Sequence, residues 1–144
     1  MKFLIYIHSH WAIIFLLIFT VTVIKYIRAN IFRVPYTKTD LHLAIFTMVS
    51  GGIQVFIGLA VYFSSSVYKY LKHNGIKAVM NNIDHLHGAI LHPLLELFSF
   101  GLLYAGYRAM LVSENSSLHK SMLKYYLPAF LIMVAIIPWG KWLF

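Results

Sequence analysis

The chain has no cysteine and only four carboxylate side chains among its 144 residues. Without cysteine there is no disulfide framework, no thiolate metal site and no iron–sulfur cluster, so any metal must be held by nitrogen or oxygen. Charged residues make up 11% of the chain and apolar ones 60%. A soluble domain is about 25% charged, so this chain has too few charges to cover a water-exposed surface, and a lipid bilayer is the expected solvent. The sequence also lacks a G-x-S-x-G elbow, an H-E-x-x-H pair and a phosphate-binding loop, which argues against a stand-alone hydrolase or phosphotransferase. The net charge of +8 comes from 12 Lys and Arg, but these stand singly between apolar blocks. They form no basic stripe, so no nucleic-acid partner is expected.

What the chain does have is long apolar runs. A spanning helix needs about 20 mostly apolar residues, and four segments qualify: about 3–24, 41–63, 83–107 and 125–144. The expected fold is all-α, a single-domain integral membrane four-helix bundle. The first run is expected to be a span rather than a cleavable leader, because Lys25, Tyr26, Ile27 and Arg28 stand where small residues should permit cleavage. Thr39 or Asp40 is the expected cap of the second helix, and Asn81, Asn82 and Asp84 open the third. Trp11, Trp139, Trp142, Tyr68, Tyr70, Tyr125 and Tyr126 fall near segment ends, as aromatic belts do. Lys25, Arg28, Arg33, Lys38, Arg108, Lys120 and Lys124 outnumber Lys2, Lys69, Lys72, Lys77 and Lys141. That balance favours cytoplasmic first and third loops, with both termini outside.

Eight histidines beside four carboxylates are the anomaly. Alternate spans run in the same direction, so His8, His10, His73, His85, His87 and His92 share one side of the bundle, and His42 and His119 the other. At 100° per residue, His85, Gly88, His92, Glu96, Ser99, Leu103, Gly106 and Tyr107 form one stripe, and His87 points away from it. Pro93 frees a carbonyl one turn back and predicts a kink over 89–93. A matching stripe on the second helix carries Thr47, Ser50, Gly51, Gln54, Gly58 and Ser65, and on the first His8 aligns with Ala12, Phe15, Phe19, Thr22 and Tyr26. His8 and His92 lie roughly 7 Å and 13 Å inside their helices at about 1.5 Å per residue, deep enough to meet. Ionisable groups inside a membrane are functional candidates, with Glu96 as the orienting or proton-accepting partner of His92. His10, His73 and His119 read as solvated, His42 as capping or interfacial, and His85 and His87 as divided between interface and site. Gln54 and the glycines suit either ligand contact or helix packing.

His8-Ser9 before a long apolar run, Tyr36-Thr37-Lys38-x-Asp40, Ile53-Gln54-x-x-x-Gly58-Leu59, His92-Pro93-Leu94 and Ile137-Pro138-Trp139 occur here in that order. Together they resemble a family of small four-span membrane proteins of Bacteroidetes labelled cytochrome b or cytochrome B-like, over almost the whole chain. The resemblance implies a four-helix membrane protein with b-type haem. The family's opening is similar to His-Ser-Gly-Leu-Arg-Trp, whereas here His10 and Trp11 follow Ser9 without the arginine. Lys69, Lys72 or Lys77, on the same side, would have to supply that cation.

Three functional expectations follow. The first is a haem b electron-transfer protein with His8 and His92 as axial ligands, exchanging electrons with a quinone or a redox partner protein. The second is a non-catalytic subunit of a larger membrane complex, or a homo-oligomer, holding lipid or quinone against Gln54 and Gly58. The third is a zinc or copper site at His85, His92 and Glu96.

Overall fold

The computed structural model describes residues 2–112 and 118–142, the side chains of 141 and 142 excepted. The described residues are almost entirely helical: α1 (Lys2–Phe32), α2 (Lys38–Ser64), α3 (Ser66–Met80), α4 (Ile83–Val112), α5 (Leu118–Ile136) and a last turn, α6 (Trp139–Trp142). Four of them pack side by side. α1 lies against α2 and α5, and α4 lies against the same two, so α1 and α4 face each other across the centre.

Each helix is apolar nearly all round, the pattern of a core or membrane helix. On α1 the covered face is Phe15, Phe19, Thr22, Val23 and Tyr26, while Leu17, Val21 and Ile24 on the other face are more than half exposed. α1, α2 and α4 are long and apolar enough to cross a membrane. α5 falls short by composition, because His119, Lys120, Ser121 and Lys124 occupy its first two turns. It starts at Leu118, seven residues before the fourth expected segment. It ends at Ile136, ahead of Pro138, which cannot continue a helix hydrogen-bond ladder. The final residues of that segment, Leu143 and Phe144, lie outside the described residues, as do the side chains of Lys141 and Trp142.

Small residues set how closely the helices approach. A Cβ on Gly106 would stand 2.7 Å from the Tyr126 ring, which is fully buried between α4 and α5. Gly106→Ala therefore has to displace an aromatic ring with nowhere to go, and should destabilise by about 1–3 kcal/mol. Gly101→Ala meets nothing within 4 Å and should stabilise by about 0.5–1 kcal/mol through helix propensity alone. Thermal melts of the two variants in mild detergent should move in opposite directions.

Several sequence expectations need correction. The cap of α2 is Thr37 rather than Thr39 or Asp40. Asp40 sits three residues on, its Oδ2 accepting from the Thr37 N–H and hydroxyl, a reciprocal capping arrangement. α1 does not stop at Lys25 but runs on to Phe32, because the Lys25 ammonium is not at a boundary: it reaches Asp40 Oδ1 at 3.1 Å. His119 is not a solvated loop residue. It is 6% exposed in the first turn of α5, with Nε2 3.3 Å from Asp40 Oδ1 and its ring against Tyr26 and Tyr36. Burial and the nearby Asp40 carboxylate push the Tyr36 phenol above its ordinary range, and its hydroxyl donates to Met110 Sδ at 2.7 Å. Tyr126 is core rather than belt. The stretch after α2 is the helix α3, capped by Ser65 Oγ accepting from the Tyr68 N–H and broken at Gly75, whose φ of 76° suits glycine.

Candidate functional site

At the end of the molecule opposite Asp40, a cavity of about 330 Å³ opens between α1, α2, α4 and the end of α5. Its wall is mostly apolar, with four chemically active side chains: His8 of α1, Gln54 of α2, and His92 and Glu96 of α4. An apolar cavity with a few convergent polar groups is the usual form of a small-molecule site, and its volume is at the lower end of the usual range of about 300–1,000 Å³. Ile5, Leu97 and Pro138 on its lining are exposed, so the cavity reaches the surface of the protein.

Local sequence explains how these groups meet. His8 fits because residue 58 is glycine: a Cβ there would stand 3.1 Å from His8 Cε1. The Gln54 amide nitrogen lies 3.2 Å from His8 Nδ1 and 3.4 Å from Nε2 and donates to whichever carries the lone pair. Gln54 Oε1 is buried without a partner, a cost of about 1–3 kcal/mol for such a group. His8 and His92 face each other with ring centres 6.4 Å apart and planes at 88°, and His92 Nδ1 is likewise buried and unpartnered.

The kink expected around Pro93 is a single π turn, His87–Leu91, inside α4. Pro93 has no N–H for the Ala89 carbonyl. Tyr62 of α2 supplies the missing donor, its hydroxyl 3.0 Å from Ala89 O. Tyr62→Phe leaves that carbonyl unpaired and should cost about 0.5–1.5 kcal/mol, read as faster amide hydrogen exchange over 87–93. The π turn also explains a correction. A regular helix would point His87 away from His92, but the extra residue per turn rotates it back, and the two rings stack at 5.9 Å. His87 Nε2 donates to Ile136 O at 3.1 Å, tying the π turn to the end of α5. Such turns recur at functional sites. Proline four residues after a conformationally free carbonyl is the sequence signal for Tyr62; nothing in the local sequence marks His87.

The chain matches no known family, no curated protein and no solved structure. A functional reading therefore rests on the geometry of the site itself.

The remaining candidates sort clearly. Gly88 lines the cavity and packs on Val67 of α3. His85 is not brought to the cavity; its ring stacks on Tyr70 at 4.1 Å and 27°. Among the described residues no three His, Asp or Glu side chains stand close enough together to hold a metal ion, so the zinc or copper reading lacks its third ligand. His10 hydrogen-bonds the Tyr6 carbonyl in its own helix and is exposed, and His42 and His73 are exposed.

Proposed function

We propose that α1, α2, α4 and α5 cross a bacterial inner membrane as a four-helix bundle and that the cavity holds a b-type haem between His8 and His92, making the protein a membrane electron carrier. The observation that carries this reading is the His8–His92 pair. The two imidazoles come from facing helices and stand on one cavity wall with ring centres 6.4 Å apart, so they are the residues that would hold the iron. The donor set fits: two histidines, and a greasy wall that excludes water. Bound iron would supply reversible one-electron transfer, to and from a quinone or a redox partner protein.

The chain's own residues do the rest. Turned by half a revolution, the Gln54 carboxamide presents Oε1 to His8 Nδ1–H, which fixes the tautomer that leaves Nε2 free to ligate and satisfies the orphaned oxygen. Gly58 keeps the space that ring needs, and the π turn held by Tyr62 and His87 aims His92 inward. Absorption spectra of the detergent-purified protein, expressed with ample haem, test the reading. Oxidised and dithionite-reduced samples should differ in the haem bands, and protein without haem absorbance would sink it. A second reading, a quinone held directly in the cavity, is favoured by the unpartnered Gln54 Oε1 on a wall that also carries Glu96. Haem-free protein that retains quinone through purification would select it.

A further inference from the structure

α3 joins the ends of two membrane-length helices, α2 and α4. It carries Lys69, Lys72, His73 and Lys77 and no Asp or Glu. At 100° per residue, Val67, Tyr70 and Leu71 share one face of its first turns, and Lys69, Lys72 and His73 share the opposite one. The apolar face is used within the chain: Val67 lies 3.5 Å from where a Cβ on Gly88 would stand, and the Tyr70 ring stacks on His85 at 4.1 Å. The cationic face is exposed, and among the described residues neither Lys69 nor Lys72 pairs with a carboxylate. Beyond the break at Gly75, Ile76 and Met80 are 59% and 61% exposed. Lysines beside exposed apolar side chains are the composition of a segment seated at a bilayer surface.

We propose that the Lys69 and Lys72 face of α3 binds the phosphates of anionic phospholipid at the surface of the protein's own membrane. α2 has 27 residues, about 40 Å at about 1.5 Å per residue. The hydrocarbon core is about 30 Å thick, so a spanning α2 delivers Ser65 to the headgroup layer, and Lys69 and Lys72 follow within about two helical turns. A lysine stem lies along apolar surface while its ammonium reaches the phosphates. Each lysine beside a spanning helix enriches anionic lipid about fivefold. With no carboxylate on α3, nothing on the helix offsets that attraction. The inference rests on the bilayer-spanning part of the proposed function and not on haem.

The test uses the full chain reconstituted in phosphatidylcholine vesicles. Because the chain has no cysteine, His73→Cys gives a single attachment point for a fluorophore on the cationic face. Nitroxide-bearing phosphatidylglycerol and nitroxide-bearing phosphatidylcholine are then compared as quenchers. The lipid contact predicts half-maximal quenching at a mole fraction lower for phosphatidylglycerol by about fivefold or more. Salt at about 1 M, where the screening length is about 3 Å, should cancel that preference without any further substitution. Lys69→Gln with Lys72→Gln should bring the two lipids level. Lys38→Gln with Lys120→Gln removes the same charge from exposed positions at the opposite end and should leave the preference intact. Equal quenching by the two lipids in protein that resists alkaline extraction overturns the lipid contact and leaves the bilayer reading standing. So does a preference that survives either the salt or the loss of Lys69 and Lys72. Protein that alkali extracts from the vesicles overturns both.

Discussion

Replacing Asp40 by alanine should lower the unfolding free energy by about 3–5 kcal/mol, the usual cost of removing one partner of a buried ion pair. Asp40 is 1% exposed, and its carboxylate answers donors from three parts of the chain: Thr37 at the start of α2, Lys25 of α1 and His119 of α5. Alanine removes the acceptor and strands the donors. The capping interaction alone is worth about 0.5–2 kcal/mol. The two nitrogen partners are placed differently, His119 buried and Lys25 partly exposed. Lys25 keeps 33% of its side chain exposed and can turn its ammonium to water, so Lys25→Met should cost no more than about 1 kcal/mol. Because the group is buried, added salt should change these differences little. Thermal or denaturant unfolding in mild detergent reads them. An Asp40→Ala protein as stable as wild type would show that Asp40 is not the clamp joining α1, α2 and α5.

The same residue shows where sequence reasoning ran out. Periodicity was sufficient for the covered faces: Phe15, Phe19, Thr22 and Tyr26 on α1 and Thr47, Ser50, Gly51 and Gln54 on α2 are buried as the 3.6-residue repeat predicts. Alternating helix direction was sufficient to put His8 and His92 at one end, because both lie near the starts of helices that run the same way. Three features were illegible for physical reasons. His119 sits in a polar run, and what buries it is a carboxylate 79 positions earlier in the chain, a partner that no local window contains. His87 was misplaced because a regular 100° step cannot anticipate an extra residue in a turn. α3 falls between the expected spans because its 15 residues, with Lys69, Lys72 and Lys77, are too short and too polar to cross a membrane.

The two ends of the molecule use polar groups in opposite ways. At the Asp40 end the carboxylate is answered within the chain, by the Thr37 N–H and by the Lys25 and His119 nitrogens at 3.1 and 3.3 Å, which makes a clamp. At the cavity end polar atoms are left open: Gln54 Oε1 and His92 Nδ1 are buried without partners, beside the edge-to-face pair of His8 and His92 rings. Polar groups held ready but unmatched are costly in stability, and they persist where a ligand completes them.

That contrast gives the second large effect. On the proposed haem reading, His92→Ala and His8→Ala should each abolish the haem bands expected of the purified protein, because each removes one of the two side chains that would hold the iron. His85→Ala and His10→Ala should leave the bands in place, since His85 stacks on Tyr70 and His10 bonds its own helix. A merely structural His92 would not show this pattern: alanine would lower stability and haem content together, and any side chain of similar size would restore both. Ligation predicts a different rescue. His92→Met supplies a thioether in place of the imidazole and should recover haem with a raised reduction potential, whereas His92→Leu, of similar bulk, should recover none. Equal haem retention in the Leu and Met variants would remove His92 from the ligand set. Gln54→Leu tests the orienting partner separately, with an expected loss of about 10–100-fold in haem affinity at unchanged stoichiometry. That result would assign Gln54 to positioning His8 rather than to lining the cavity alone.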